Sequence, residues 1–94
     1  MRIRFYEDPE TRLPHIWGHG VTEEEVVQVL RGAGEDLPAP RGSRMKLGQT
    51  TAGRFLQVIY VPDADPESVF VVTAHELRGR AKAAYRRRQR RKAR

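Results

Sequence analysis

Apolar and polar residues alternate over two short segments of the chain, residues 2–6 and 44–50, whereas residues 55–61 (except Gln57) and 69–74 are apolar on both faces. Both patterns predict β-strands. The first strand lies within residues 2–6, and the others cover residues 44–50, 55–61 and 69–74. Gly53 lies in the turn between the second and third strands and is expected at positive φ. Because the last three strands follow one another with short connections, they are predicted to form an antiparallel meander, with residues 55–61 as its central strand.

One helix is specified by local signals over residues 22–32. Thr22 is suited to be the N-cap, and Glu25, three residues later, completes a capping box. Val26 and Val29 belong to an apolar face that repeats at helical spacing. The predicted helix therefore has both a defined start and a side that requires burial.

Proline and glycine limit the segments between these elements. Residues 33–43 are predicted to be a loop, because their prolines and glycines interrupt any regular pattern. A proline restricts residues 11–18 to a short or irregular helix. The last helix is predicted to begin near Glu76 or Leu77, with a narrow apolar stripe that stops at Tyr85.

These elements predict an α+β fold: a small antiparallel sheet of about four strands, with N-terminal helices and a basic C-terminal helix. Residues 1–85 are expected to form a single domain, because a chain of 94 residues supports one core. Residues 86–94 are predicted to be a basic tail that continues the last helix.

Charge is divided unevenly along the chain. The net charge is +6, but residues 78–94 contain ten Arg or Lys and no acid, whereas residues 1–77 contain eight bases and twelve acids. A cationic arm on an acidic body suits a phosphate backbone or an acidic partner surface. We therefore expect RNA, or another polyanion, as the main partner. The alternative is a tail that serves only solubility.

Several classes of protein are excluded or disfavoured. The chain has no cysteine, so disulfides and thiolate metal sites are excluded. The sequence has no apolar run near the roughly 20 residues of a membrane helix and no signal peptide pattern at its start, so we expect a cytoplasmic protein that does not bind membranes. The domain is too small for a deep cofactor cavity, so no cofactor is expected. His15 and His19 are four residues apart, but Gly18 and Gly20 on either side of His19 disfavour a helix there, so no metal site is predicted. The oligomeric state is left open.

Basic and proton-transfer side chains recur in the second half of the chain, and we hypothesise that strand pairing brings them to one concave surface. Histidine takes and gives a proton near neutral pH, so His75 is a candidate acid or base for metal-free RNA cleavage by the 2′-hydroxyl, with Glu76 or Tyr85 as its complement. Arginine would stabilise the extra negative charge of the transition state. The catalytic candidates are Arg44, Arg54, His75, Arg80 and Tyr85. The candidates for RNA contact are Lys46, Arg78, Lys82, Arg86, Arg87 and Arg88.

Each of these candidates also has a structural interpretation. His75 at a strand end is suited to hydrogen-bond a carbonyl group. Tyr85 on the apolar stripe is suited to the core, as is Trp17. Arg44 and Lys46 are equally compatible with a solvated strand face.

The same residues resemble a known family. The run His19-Gly20-Val21-Thr22-Glu23-Glu24-Glu25, followed by Val29-Leu30, resembles the H-G-V-[ST]-x-E-E motif of BrnT-like toxins and of a neighbouring uncharacterised family, DUF4258. The other similar positions are Arg44 with Gly48, Gly53-Arg54-Phe55-Leu56, and Thr73-Ala74 with Arg80 and Tyr85. The resemblance implies a RelE-like fold, metal-free mRNA cleavage and a cognate antitoxin partner. By position, it implies roles for His19, Arg44, Arg54, Arg80 and Tyr85.

Two functions of different classes are therefore predicted. The first is a metal-independent endoribonuclease of a type II toxin–antitoxin pair. The second is a non-catalytic nucleic-acid- or partner-binding module of the same fold.

Overall fold

A computed structural model describes residues 1–93 and shows a five-stranded mixed sheet with a helix against each face. The elements in chain order are β1 (Arg2–Phe5), a 3₁₀ helix (His15–His19), α1 (Glu23–Arg31), β2 (Glu35–Pro38), a 3₁₀ turn (Pro40–Gly42), β3 (Arg44–Gln49), β4 (Phe55–Pro62), β5 (Ser68–Glu76) and α2 (Gly79–Lys92). Within the described residues, no helix is long and apolar enough to span a bilayer.

The strands lie in the order β1-β5-β4-β3-β2. β3, β4 and β5 form an antiparallel meander with β4 at the centre, which confirms that part of the prediction. β2 extends the sheet antiparallel to β3, and β1 pairs parallel with β5 at the opposite edge. The prediction of about four antiparallel strands is therefore wrong in two respects, because the sheet has five strands and one of its pairings is parallel.

The extra strand, β2, lies inside the segment that was predicted to be a loop. Two acids and a proline give Glu35–Pro38 a low intrinsic strand preference, but proline is tolerated on an edge strand because its missing N–H can face away from the ladder. Pairing with β3 supplies the backbone hydrogen bonds. The strand thus depends on its neighbour and carries no local signal of its own.

Helix α1 confirms the local prediction closely. The backbone N–H of Glu25 donates to Thr22 Oγ1 over 3.2 Å, and the N–H of Thr22 donates to Glu25 Oε1 over 3.0 Å, which is a complete capping box. Gly32 ends the helix. Val26 and Val29 are buried against the sheet.

Side chains alternate across β4 and divide the hydrophobic core in two. The α1 face, defined by Leu56, Val58 and Tyr60 of β4, is buried beneath α1 in the larger core. The opposite α2 face, defined by Phe55, Gln57 and Ile59, is only partly buried.

The smaller core lies beneath α2 and contains Leu47, Leu77 and Tyr85. Helix α2 begins after β5 has extended to Glu76, so the last helix starts later than predicted and Leu77 lies outside it. Ala81 is exposed, so the apolar stripe of α2 contains fewer buried residues than predicted. Helix α2 is therefore held mainly through its middle, and it continues as a basic helix to Lys92. Arg94, the last residue of the predicted tail, lies outside the described residues.

Gly34 lies where the chain enters β2, and a Cβ atom there would overlap the carbonyl oxygen of Leu47 in β3. We expect Gly34→Ala to lower the free energy of unfolding by about 1–3 kcal/mol, because the β3 backbone would have to move. Gly18→Ala is the matched control, because its Cβ meets no atom within 4 Å. The control should stay within about 0.5 kcal/mol of wild type in urea unfolding. Equal stability of the two variants would contradict the pairing of β2 with β3.

Candidate functional site

Three histidines meet at the edge of the sheet, near the end of β5. β1 pairs with β5 only as far as Val71, and the 3₁₀ helix lies along the edge that β1 leaves open. The ring centroids of His15 and His19 are therefore only 5.0 Å apart, and those of His19 and His75 are 5.9 Å apart. These three residues are named the histidine row.

Asp8 orients the first member of the row. Its Oδ1 lies 2.8 Å from Nδ1 of His15. Because the carboxylate can only accept, Nδ1 carries a proton and donates a hydrogen bond to it. In the neutral ring, this bond leaves a lone pair on Nε2 of His15. That Nε2 lies 3.3 Å from Nε2 of His19.

A cleft of about 290 Å³ opens beside the other end of the row and is lined by His19, His75, Glu76 and Arg78. Arg78 Nε donates to Glu76 Oε2 over 2.9 Å, so the cation and the carboxylate are held at one wall. The cleft thus combines two imidazoles with one charged pair. These are the groups needed to move protons beside a phosphate.

Arg54 supports this wall from behind. Its Nε donates to Glu76 Oε1 over 3.1 Å, and its Nη1 donates to Glu25 Oε1 over 3.1 Å and to the carbonyl of Gly20 over 2.7 Å. The side chain is 27% exposed. Arg54 lies beside the predicted site, but its contacts join α1, the 3₁₀ helix and β5, which is a positioning role.

The two carboxylates bound by Arg54 are held ionised. Burial alone would raise the pKa of Glu25, but the hydrogen bonds from Thr22 and Arg54 outweigh burial and lower it. Hydrogen bonds from Arg54 and Arg78 lower the pKa of Glu76. Both groups therefore stabilise the folded state above the ordinary glutamate pKa of about 4.3, and this contribution is lost as pH falls through their lowered folded values.

We expect Arg54→Met to lower stability near neutral pH and to reduce the loss of stability on acidification, because Glu25 and Glu76 lose a common cation. Urea unfolding at about pH 7 and about pH 4 would measure both effects. Arg31→Met is the control, because Arg31 is exposed and forms no ion pair within residues 1–93. An unchanged pH dependence in Arg54→Met would show that the network contributes nothing.

Arg44 and Lys46 do not reach the histidine row. Arg44 pairs with Tyr60 of β4, whereas His75 pairs with Gln57, so the two lie on opposite faces. They are also separated by roughly 10 Å along the strand. The hypothesis that all the predicted cations converge on one groove is therefore wrong.

Arg44 instead belongs to a polar cluster at the other end of the α1 face. Its Nε donates to Asp36 Oδ1 over 2.8 Å, and Asp36 also accepts from the hydroxyl of Tyr60. Burial and the bond to Asp36 raise the pKa of Tyr60 to about 12. Lys46 Nζ donates to the carbonyl of Gly32 over 2.9 Å and so caps the end of α1.

Tyr85 is part of the core and does not line the cleft. It is 3% exposed, packs edge-on against Phe55 at 6.1 Å, and has a pKa raised by burial. The structural interpretation of Tyr85 is thus confirmed. The core interpretation of Trp17 is wrong, because Trp17 is 48% exposed and its indole N–H donates to Glu23.

Helix α2 provides a strongly basic surface. It contains eight Arg or Lys, and one of them, Arg88, is ion-paired with Glu35 over 2.6 Å. The other seven form no ion pair within residues 1–93: Arg80, Lys82, Arg86, Arg87, Arg90, Arg91 and Lys92. Lys82 Nζ and the Arg86 guanidinium lie over the Phe55 ring at 5.0 and 5.7 Å. Arg80, Lys82, Arg86 and Arg87 from the predicted set are therefore free of carboxylate partners in the described chain.

Two residues of the site were not predicted, Asp8 and His15. Their only sequence signal is the four-residue spacing of His15 and His19, which the glycines on either side of His19 made hard to assign to a helix. The 3₁₀ geometry and the bridge between Glu7 and Pro14 bring these residues together. Neither the 3₁₀ helix nor this bridge can be predicted from the spacing of apolar residues along the chain.

Comparison with known proteins yields no relative. No protein-family model, curated protein or solved structure matches the chain significantly. The resemblance to BrnT-like toxins, the antitoxin partner and the cytoplasmic location therefore remain predictions. The basic helix and the histidine row are the features of the chain that indicate a function.

Proposed function

We propose that the protein binds RNA through α2. The observation that carries this proposal is the set of seven Arg and Lys side chains on α2 that form no ion pair within residues 1–93. Cations without carboxylate partners can neutralise phosphates and release the counterions of the nucleic acid, which is the main source of electrostatic binding.

The surroundings of α2 favour a single strand over a duplex. The helix begins beside the cleft, because Arg78 is its N-cap and also lines the cleft. Trp17, in the same 3₁₀ helix as the cleft residue His19, is 48% exposed, and Tyr6, whose ring centroid lies 5.9 Å from that of His15, is 40% exposed. Exposed aromatic rings on the side of the histidine row are suited to stack unpaired bases. A strand that follows α2 towards its N-terminus would enter the cleft at Arg78.

A salt titration tests the proposal. About six phosphate contacts on single-stranded RNA predict a slope of about −4 for log K against log salt concentration. The triple substitution of Arg86, Arg87 and Arg90 by glutamine should reduce the size of this slope by about 2 and weaken binding. Fluorescence anisotropy with a labelled RNA oligonucleotide measures both quantities.

The control removes the same charge elsewhere. Arg12, Arg31 and Arg41 are exposed residues outside α2, and their triple substitution by glutamine should leave the slope close to that of wild type. Equal effects of the two triple variants would mean that net charge alone drives binding. A flat titration of the wild type would overturn the proposal.

Metal-independent RNA cleavage in the cleft is the second candidate function, and the pairing of His19 with His75 beside Arg78 favours it. One imidazole would take the proton of a 2′-hydroxyl, whose oxygen attacks the adjacent phosphorus. The other would protonate the departing 5′-oxygen. Arg78 would stabilise the negative charge that builds up on the phosphate oxygens. The products are a 2′,3′-cyclic phosphate and a 5′-hydroxyl.

Incubation of RNA with the purified protein and EDTA tests this second function. We expect cleavage with a 2′,3′-cyclic phosphate end, and we expect His19→Ala and His75→Ala each to lower the rate by about 100-fold or more. Arg41→Ala, in the turn at the far edge of the sheet, is the control and should keep full activity. Intact RNA with wild-type protein would leave RNA binding without turnover as the function.

A further inference from the structure

The facing nitrogens of His15 and His19 match the spacing of two ligands on one metal ion. Their Nε2 atoms are 3.3 Å apart. In a tetrahedral site with metal–nitrogen bonds of about 2.0–2.1 Å, two ligand nitrogens are separated by about 3.3–3.4 Å. We propose that His15 and His19 form a binding site for a late first-row divalent cation such as Zn²⁺, Ni²⁺ or Cu²⁺. This proposal does not depend on RNA binding, and it shares only His19 with the candidate cleavage site.

Asp8 supplies the outer contact that such a site requires. A metal-bound histidine usually donates its second ring N–H to a carboxylate, which fixes the tautomer and makes the ligand nitrogen more basic. The 2.8 Å contact between Asp8 Oδ1 and His15 Nδ1 provides this arrangement. It leaves the Nε2 lone pair of His15 pointing away from Asp8 and towards the second histidine.

The backbone holds the two histidines in place. Both belong to the same 3₁₀ helix, which is anchored by Ile16 at 1% exposure. Gly20 ends the helix with φ of 71°, a conformation that glycine adopts without strain. The His15 side chain is 35% exposed, so an ion can enter from solvent and water can complete its coordination. The protein thus fixes the positions of the two histidine ligands, and the rest of the site is open to solvent.

The donor set determines which ions fit. Two imidazole nitrogens suit zinc, nickel and copper, whereas magnesium and calcium prefer oxygen ligands. Within residues 1–93, no group of three or more His, Cys, Asp or Glu has the geometry to hold a metal ion together. The proposed site therefore has two protein ligands, and water fills the remaining positions. His75 lies on the far side of His19, with its ring centroid 5.9 Å away, and is not part of the ligand pair.

Isothermal titration of the untagged full chain with ZnCl₂ or NiCl₂ tests the proposal, with MgCl₂ as the control ion. We expect one equivalent of Zn²⁺ or Ni²⁺ to bind and Mg²⁺ to give no heat above dilution. His15→Gln and His19→Gln should each abolish binding. Asp8→Asn should weaken binding by about tenfold, because the orienting carboxylate is lost.

Two matched variants separate this site from its neighbours. His75→Gln should bind the metal as wild type does, and a loss of binding in that variant would overturn the assignment to the His15–His19 pair. The triple Arg86, Arg87 and Arg90 variant should also bind the metal normally, so a failure of RNA binding and a failure of metal binding are observed separately. If wild type binds neither ion, the two histidines share only a proton and the proposal is wrong.

Discussion

The site depends on a single partly buried guanidinium. Arg54 lies immediately before β4 and donates hydrogen bonds to Glu25 of α1, to the carbonyl of Gly20 and to Glu76 at the end of β5. The N–H groups of a partly buried cation need hydrogen-bond acceptors, so these three contacts form as one network around Arg54. Together they fix where the 3₁₀ helix ends relative to β5, and therefore where His19 lies relative to His75.

The two faces of the sheet differ in burial and in charge. The α1 face contains most of the apolar core and is closed at its far end by Arg44, Asp36 and Tyr60. The α2 face is covered only in part, and its helix presents cations to solvent. The histidine row and the cleft therefore lie at the sheet edge between the two faces, where the short β1 leaves space for the 3₁₀ helix. Stability and function therefore depend on different residues, so changes in the α2 arginines that form no ion pair within residues 1–93 should affect binding more than folding.

Features with local causes could be predicted from the sequence. The capping box of α1 and the meander of β3 to β5 depend on residues close together in the chain, and both are confirmed. The strand β2 and the parallel pairing of β1 could not be predicted, because both depend on partners that are set by the whole sheet. Site prediction failed for a similar reason: side-chain direction alternates at every residue, so the register alone puts Arg44 and His75 on opposite faces. Candidates within one segment, such as Glu76 and Arg78, do lie together at the cleft.

The parallel pairing of β1 with β5 also has a consequence for biosynthesis. Arg2 pairs with Ser68, so β1 cannot join the sheet until β5, the last of the five strands, has been synthesised. Until β5 has been synthesised, Ile3 and Phe5 lack the core against which they pack, and α1 packs on an incomplete sheet. Closing so long a loop is slow compared with forming local structure. The chain therefore passes through a stage during synthesis in which β1 is unpaired, and a chaperone or a protease would encounter it in that state.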